Sequence, residues 1–238
     1  MVEWVNFYTC EGSNMASSKI LLNPGLESAL ATNTILRNTY ILLGLTLIFS
    51  ALTAGFAMLT NASPLNPFVT LIGYLGLLFL TNFTRNSFWG LLSVFCLTGF
   101  MGYTLGPILN HYIHGFTNGH ELIMMSLGAT GLIFFALSAY ALISKKDFSF
   151  MGSFLMVGMI VAFLASIGTL FFHIPALMLT LSAVFILLSS GIILLQTSQI
   201  IHGGETNYIT ATVTLYVSLY NIFLSLLNLL GAFGGNRD

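Results

Sequence analysis

Three histidines and a carboxylate crowd one short stretch of this chain, His111, His114, His120 and Glu121, with His173 on a later connection. A histidine pair three residues apart shares one helical face, and with a third histidine and a carboxylate it has the donor set of a zinc site. Imidazole titrates near neutrality, so a pH-sensing patch is a second use. The plainer reading is a set of interfacial polar side chains, and no metal is assigned. A second group is ordered by spacing alone. Thr210, Thr214, Ser218, Asn221, Ser225 and Asn228 recur at steps of four, four, three, four and three, which puts all six on one helical face. Such a stripe is either a polar pathway or hydrogen-bonding glue facing the interior of a helix bundle. With no charge in it, glue is favoured.

No nucleophile, base and acid can be grouped, and no paired aspartates or Ser/His pair lies within an apolar run. The chain does not read as an enzyme, and no cofactor is expected. The seven carboxylates are Glu3, Glu11, Glu27, Glu121, Asp147, Glu205 and Asp238, and all lie between or beyond the apolar runs. Lys19, Arg37, Arg85, Lys145, Lys146 and Arg237 do the same. Pumps, proton-coupled carriers and voltage sensors keep ionisable groups at membrane depth. Conventional charge transport is therefore not expected.

The elements that must carry these residues are membrane helices. Hydrophobic residues make up 56% of the 238-residue chain and charged residues 5%, against about 25% in soluble domains. A net charge of −1 offers nucleic acid no electrostatic footprint. Cys10 and Cys96 lie in different environments and are not expected to pair. A spanning helix needs about 20 apolar residues. Seven runs qualify: Tyr40–Thr60, Leu65–Phe83, Trp89–Leu109, Leu122–Ile143, Phe148–Phe171, Pro175–Leu195 and Tyr208–Phe233. The fold class is all-α polytopic membrane protein, with lipid as its surroundings.

Lys and Arg near span ends favour the cytoplasmic side. With the amino end inside, Lys19, Arg37, Arg85, Lys145 and Lys146 are all inside, against Arg237 alone outside. The amino terminus is thus expected in the cytoplasm and the carboxyl terminus in the periplasm. Seven-helix receptors and rhodopsins run the other way, and no lysine lies in the last span to hold retinal. Residues 1–38 read as a flexible cytoplasmic tail and 39–238 as the membrane domain. Asn23-Pro24-Gly25 and the Ser, Thr and Asn content suggest a mostly irregular segment, the tail lacks the pattern of a secretory signal, and Met15 before Ala16-Ser17-Ser18 equally suits a start codon.

Glycines mark close helix packing. Gly73 and Gly76, Gly99, Gly102 and Gly106, and Gly128 and Gly131 stand on three spans, and Gly102 and Gly106 have the four-residue spacing of close helix approach. Pro107 then favours a kink or an end. Gly203-Gly204 after His202 reads as the stop of the sixth helix, and Glu205-Thr206 as the start of the seventh with Thr206 at its N-cap.

Gly102-Tyr103-Thr104-Leu105-Gly106-Pro107-Ile108-Leu109 resembles a signature of the Bax inhibitor-1 family. So does His202-Gly203-Gly204-Glu205-Thr206-Asn207-Tyr208 leading into Leu215-Tyr216-Val217-Ser218-Leu219-Tyr220-Asn221, and the resemblance runs from Leu36 to the carboxyl end. The family signature departs at Ser126 and Thr130-Gly131, where alanine and a Thr-Ala step are usual. The resemblance implies six helices around a central seventh. It also implies two activities. Some members are pH-sensitive calcium leaks that use an acidic pair, and alignment puts Gln196 and Ser218 at those positions. Neither residue can bind calcium as a carboxylate or change charge with pH. Bacterial inner-membrane members instead modulate the membrane ATP-dependent protease FtsH and are also its substrates. The resemblance therefore implies FtsH and membrane lipids as partners, with the tail as a handle for extraction.

Overall fold

The computed structural model describes residues 24–169, 171 and 174–235, with side chains from residue 32. The described residues form α1 (Pro24–Leu59), α2 (Pro67–Thr84), α3 (Phe88–Gly115), α4 (Gly119–Ser144), a 3-10 turn (Ser149–Met151), α5 (Gly152–Gly168), α6 (Pro175–Ile201) and α7 (Tyr208–Gly234), and no strand. All seven α-helices, α5 together with its 3-10 turn, are long and apolar enough to cross a bilayer. The chain is a multi-pass helical membrane protein. Its outer surface fits that solvent: Ile72, Phe79, Leu132, Phe135, Phe154 and Leu187 are all exposed.

Local chemistry fixes the ends. Asn66 caps α2 by accepting the Phe68 N–H at 3.0 Å, and Pro67 supplies a first helical residue that has no N–H to leave unpaired. The same preference corrects one sequence expectation. Pro24 opens α1, so residues 24–38 are helical and not part of an irregular segment. Cys10, Lys19, Met15 and the rest of residues 1–23 lie outside the described residues, as do His173, Arg237 and Asp238. Pro107 does not end α3, which continues to Gly115. One carbonyl, that of Tyr103, loses its helical donor, and the remaining ladder carries the helix on. α6 likewise continues past Leu195 to Ile201.

Two of the expected glycine seams exist and one does not. A Cβ on Gly102 would strike the Thr53 hydroxyl and the Ser50 carbonyl, and one on Gly106 would lie 2.5 Å from the Ala57 Cβ, so α3 and α1 meet backbone to backbone. Gly99 seats the Phe49 ring, and Gly73 seats Phe100 where α2 meets α3. Gly76, Gly128 and Gly131 have nothing within 4 Å of a built Cβ and take no part in such packing.

Of the spans, α7 is the most buried. It packs against α1, α3, α4 and α6, while α5 packs on α6. The central apolar layer joins Leu43 of α1, Leu97 and Met101 of α3, Phe134 of α4, Ile193 of α6 and Leu215, Tyr216, Leu219 and Ile222 of α7. Burying each large aliphatic side chain elsewhere is worth about 1.5–3 kcal/mol in water, but lipid is as apolar as leucine, so close packing carries this core instead.

Candidate functional site

The stripe on α7 is continuous but does not occupy the helix's deepest face. That face is Ala211, Leu215, Tyr216, Leu219 and Ile222. Within the stripe Ser218 and Ser225 are buried, whereas Thr210, Thr214, Asn221 and Asn228 are only half-buried. Thr210 and Thr214 border a cleft of about 260 Å³ whose other wall is Leu78, Thr81 and Asn82 of α2. Asn228 reaches the opposite neighbour, donating to the Ser182 hydroxyl of α6 at 2.9 Å. Two of the four hydroxyls bond their own helix: Thr214 donates to the Thr210 carbonyl at 3.0 Å and Ser218 to the Thr214 carbonyl at 2.8 Å. Back-bonding of this kind satisfies a hydroxyl without any partner helix. Only Asn228 supplies interhelical glue among the hydrogen bonds of these six residues.

The Asn228–Ser182 bond sets the register of the antiparallel α6–α7 pair. Gln196 then lies opposite Thr214, and Ser218 lies one turn farther from the connecting loop, roughly 6 Å along the axis. Gln196 and Ser218 are both buried, at 5% and 2% exposure. Gln196 belongs to a polar layer one turn nearer the loop than Leu43, Phe134, Ile193 and Leu215. There α1 contributes Thr39 and Tyr40, α4 Ser138, α6 Gln196 and Thr197, and α7 Thr212. Thr39 Oγ1, Tyr40 OH, Ser138 Oγ, Gln196 Nε2 and Thr197 Oγ1 make no hydrogen bond to the described residues. A buried polar group left unpaired costs about 1–3 kcal/mol.

The loop between α6 and α7 is the most densely bonded element of that end. Gly203, at φ 73°, adopts the left-handed conformation that glycine tolerates best. Its N–H bonds the Ile200 carbonyl at 3.3 Å and that of Gly204 the Gln199 carbonyl at 2.8 Å, the pairing that closes a helix with a Schellman turn. The cap of α7 is Asn207 and not Thr206: its Oδ1 accepts from the N–H groups of Ile209 at 2.9 Å and Thr210 at 3.2 Å. Glu205 Oε1 in turn accepts the Asn207 N–H at 2.8 Å. The Asn207 amide also donates to the Arg85 carbonyl at 3.1 Å and to Asn86 Oδ1 at 2.9 Å, which binds the α2–α3 turn.

A second turn is held from α6. The Ser198 hydroxyl accepts the Phe148 N–H at 3.1 Å and donates to the Lys146 carbonyl at 3.1 Å. His202 Nε2 lies 3.1 Å from the Lys145 carbonyl. Within this turn, hydrogen bonds from the Ser149 side chain and backbone hold the Asp147 carboxyl below its usual range, with a smaller contribution from His202. The α6–α7 region thus clasps both other turns at this end, which brings Arg85, Lys145 and Lys146 to one face.

The other end is sparer. His111, His114, His120 and Glu121 are exposed, and His114 Nδ1 lies 2.9 Å from the Asn110 carbonyl of its own helix. Among the described residues no three His, Cys, Asp or Glu side chains converge on one point. Ser126 and Thr130 are buried and back-bond to α4. Residues that the sequence did not single out are Ser50 and Thr98, which pair with Tyr216, and Ser198. A tyrosine or serine inside an apolar run carries no periodic signal, and their partners lie far away in sequence.

The sequence pattern of the Bax1-I family, described as inhibitor of apoptosis-promoting Bax1, matches residues 32–235. The modulator of FtsH protease YccA of Escherichia coli K12 is 53% identical over 204 residues, 86% of this chain and 92% of that protein. The inner membrane protein YccA of E. coli O6:H1 has the same identity and coverage. An uncharacterized protein of Pseudomonas aeruginosa is 51% identical over 222 residues, 93% of this chain and 100% of that one.

Proposed function

The chain belongs to the Bax1-I family, and on that footing we propose that it is an inner-membrane modulator of the ATP-dependent protease FtsH, and also a substrate of that protease. The observation that carries this reading is the identity, over nearly the whole of both chains, with a protein named as a modulator of FtsH protease. No catalytic role is assigned. The clustering of Arg85, Lys145 and Lys146 at one end supports a cytoplasmic location for that end and for the amino terminus, with the carboxyl terminus periplasmic.

In this reading the lipid-facing helices meet the protease within the membrane, and residues 1–23 are the handle that it pulls. Fully extended, that segment reaches at most about 80 Å at 3.3–3.6 Å per residue. It is shorter than a handle ending at residue 38, because α1 already begins at Pro24.

The second reading is a pH-sensitive calcium or cation leak along α7. Against it stand the neutral side chains at both positions of the family's acidic pair, with the Ser218 hydroxyl committed to its own helix. Carboxylates supply the charge that calcium sites use. Two measurements separate the readings. Site-specific photo-crosslinking from α2 and α5 in native membranes is expected to capture FtsH, and reconstituted protein is expected to pass little calcium at acidic or neutral pH. A pH-gated calcium flux without FtsH crosslinks would reverse the choice.

A further inference from the structure

The face that α1 and α3 turn to the lipid holds a groove of about 510 Å³. Phe49, Leu52 and Phe56 of α1 wall one side, and Leu92, Cys96 and Phe100 of α3 the other. Gly99 adds no side chain at its floor, where the Phe49 ring rests. Leu52, Phe56, Leu92 and Cys96 are all exposed, so no described helix covers the groove. Its depth in the bilayer follows from the helix. α3 has 28 residues, about 42 Å at 1.5 Å per residue, which is a bilayer from headgroup to headgroup. Along α3 the groove runs from Leu92, one turn inside Phe88, to Tyr103 near the midplane. That length, about 16 Å, is one leaflet's half of a hydrocarbon core about 30 Å thick.

Two arginines stand at the headgroup level of that leaflet. Arg85 lies three residues before Phe88. α1 and α3 run side by side in the same direction, with Gly99 beside Phe49, Gly102 beside Ser50 and Thr53, and Gly106 beside Ala57. That register sets Arg37 level with Ser87 and Phe88. Both arginine side chains are exposed. No carboxylate lies on α1 beyond Glu27, on the α2–α3 turn or on α3. Trp89, 64% exposed in the first turn of α3, marks the same level, where indole rings sit among headgroups.

We propose that the α1–α3 groove binds one anionic phospholipid of this leaflet, its phosphate between Arg37 and Arg85 and one acyl chain lying along Gly99. Guanidinium groups match phosphate oxygens with paired N–H donors. Two fixed cations attract a headgroup of net negative charge and repel the ammonium of phosphatidylethanolamine, so charge selects the lipid. The aromatic walls and glycine floor hold the chain by close packing, the attraction that apolar surroundings leave available. The site belongs to α1 and α3 and does not depend on the protease reading.

The test uses the full chain in detergent, titrated with phosphatidylglycerol or phosphatidylethanolamine while native mass spectrometry counts bound lipids. One phosphatidylglycerol is expected to bind about tenfold more tightly than phosphatidylethanolamine, since each basic residue at a membrane surface favours anionic lipid severalfold. Arg37→Gln with Arg85→Gln should remove that preference. Lys145→Gln with Lys146→Gln, on the turn that α6 holds, should keep it. Cys96→Trp, which fills the groove, should weaken binding of both lipids severalfold and leave their ratio unchanged. Equal affinity of the native protein for the two lipids overturns the proposal, and that measurement needs no variant. A preference that survives loss of both arginines, or that vanishes with the lysines, overturns it as well, and so does undiminished binding to Cys96→Trp. In native membranes a photo-crosslinker on Cys96 of Cys10→Ser protein is expected to capture lipid. Capture of FtsH there instead would give the groove to a protein helix and overturn the proposal.

Discussion

The hydroxyls of Tyr216 and Ser50 lie 2.6 Å apart in the buried centre of the bundle, joining α7 to α1. The Tyr216 proton points at the Thr98 carbonyl of α3, 3.3 Å away, so Ser50 is the donor to the tyrosine oxygen. Three helices meet on one phenol. The contact lies on the α1–α3 seam that Gly102 makes possible, since Gly102 approaches the same Ser50 carbonyl.

Tyr216→Phe keeps the ring and removes the shared hydroxyl, leaving Ser50 and the Thr98 carbonyl without it. The variant is expected to lose about 1–3 kcal/mol, the usual cost of a buried group left unpaired. Thermal unfolding in detergent would show it as a lower midpoint. An unchanged midpoint would mean that the two hydroxyls do not meet.

Gly102→Ala and Gly128→Ala are expected to act in opposite directions. At Gly102 the new methyl group meets α1 backbone and a hydroxyl, and overpacking of that kind costs about 1–3 kcal/mol. At Gly128 the methyl group meets nothing, so the gain in helix propensity, about 0.5–1 kcal/mol, should appear as stabilisation. Equal effects at the two sites, read by the same unfolding assay, would contradict the placement of the seam.

Sequence patterns located all seven spans because apolar runs of bilayer length have few other uses, but they located helix ends poorly. α1 starts at Pro24 and α6 runs past Leu195 through the buried polar residues Gln196, Thr197 and Ser198, and neither extension carries an apolar run that would announce it. Pro107 suggested a kink or an end because one lost hydrogen bond is visible in sequence, whereas the packing of α3 on α1 is not. The steps from Thr210 to Asn228 suit one helical face, yet periodicity cannot say which neighbour that face meets. The turn clasps of Ser198, His202 and Asn207 are pairings between distant segments, and no local pattern announces them. Even the N-cap was displaced by one residue, from Thr206 to Asn207, because both types suit that role.

Asn228→Leu and Asn221→Leu separate glue from mere periodicity. Asn228 holds Ser182 across α6, and its loss is expected to cost about 0.6 kcal/mol, the average for interhelical hydrogen bonds in membranes. Asn221, half-buried and outside any such bond, is expected to tolerate leucine without loss. A larger cost at Asn221 than at Asn228, measured by unfolding in the same detergent, would show that the stripe works differently.

Modulation of the protease is tested most directly by its rate of work. FtsH is reconstituted in proteoliposomes with a membrane substrate, with and without a molar excess of this protein, and substrate loss is followed over time. Slower substrate degradation is expected. A version lacking residues 1–23 is expected to slow it further, because that protein can occupy the protease without being pulled through it. Degradation at the same rate with either form as without would contradict the proposed function.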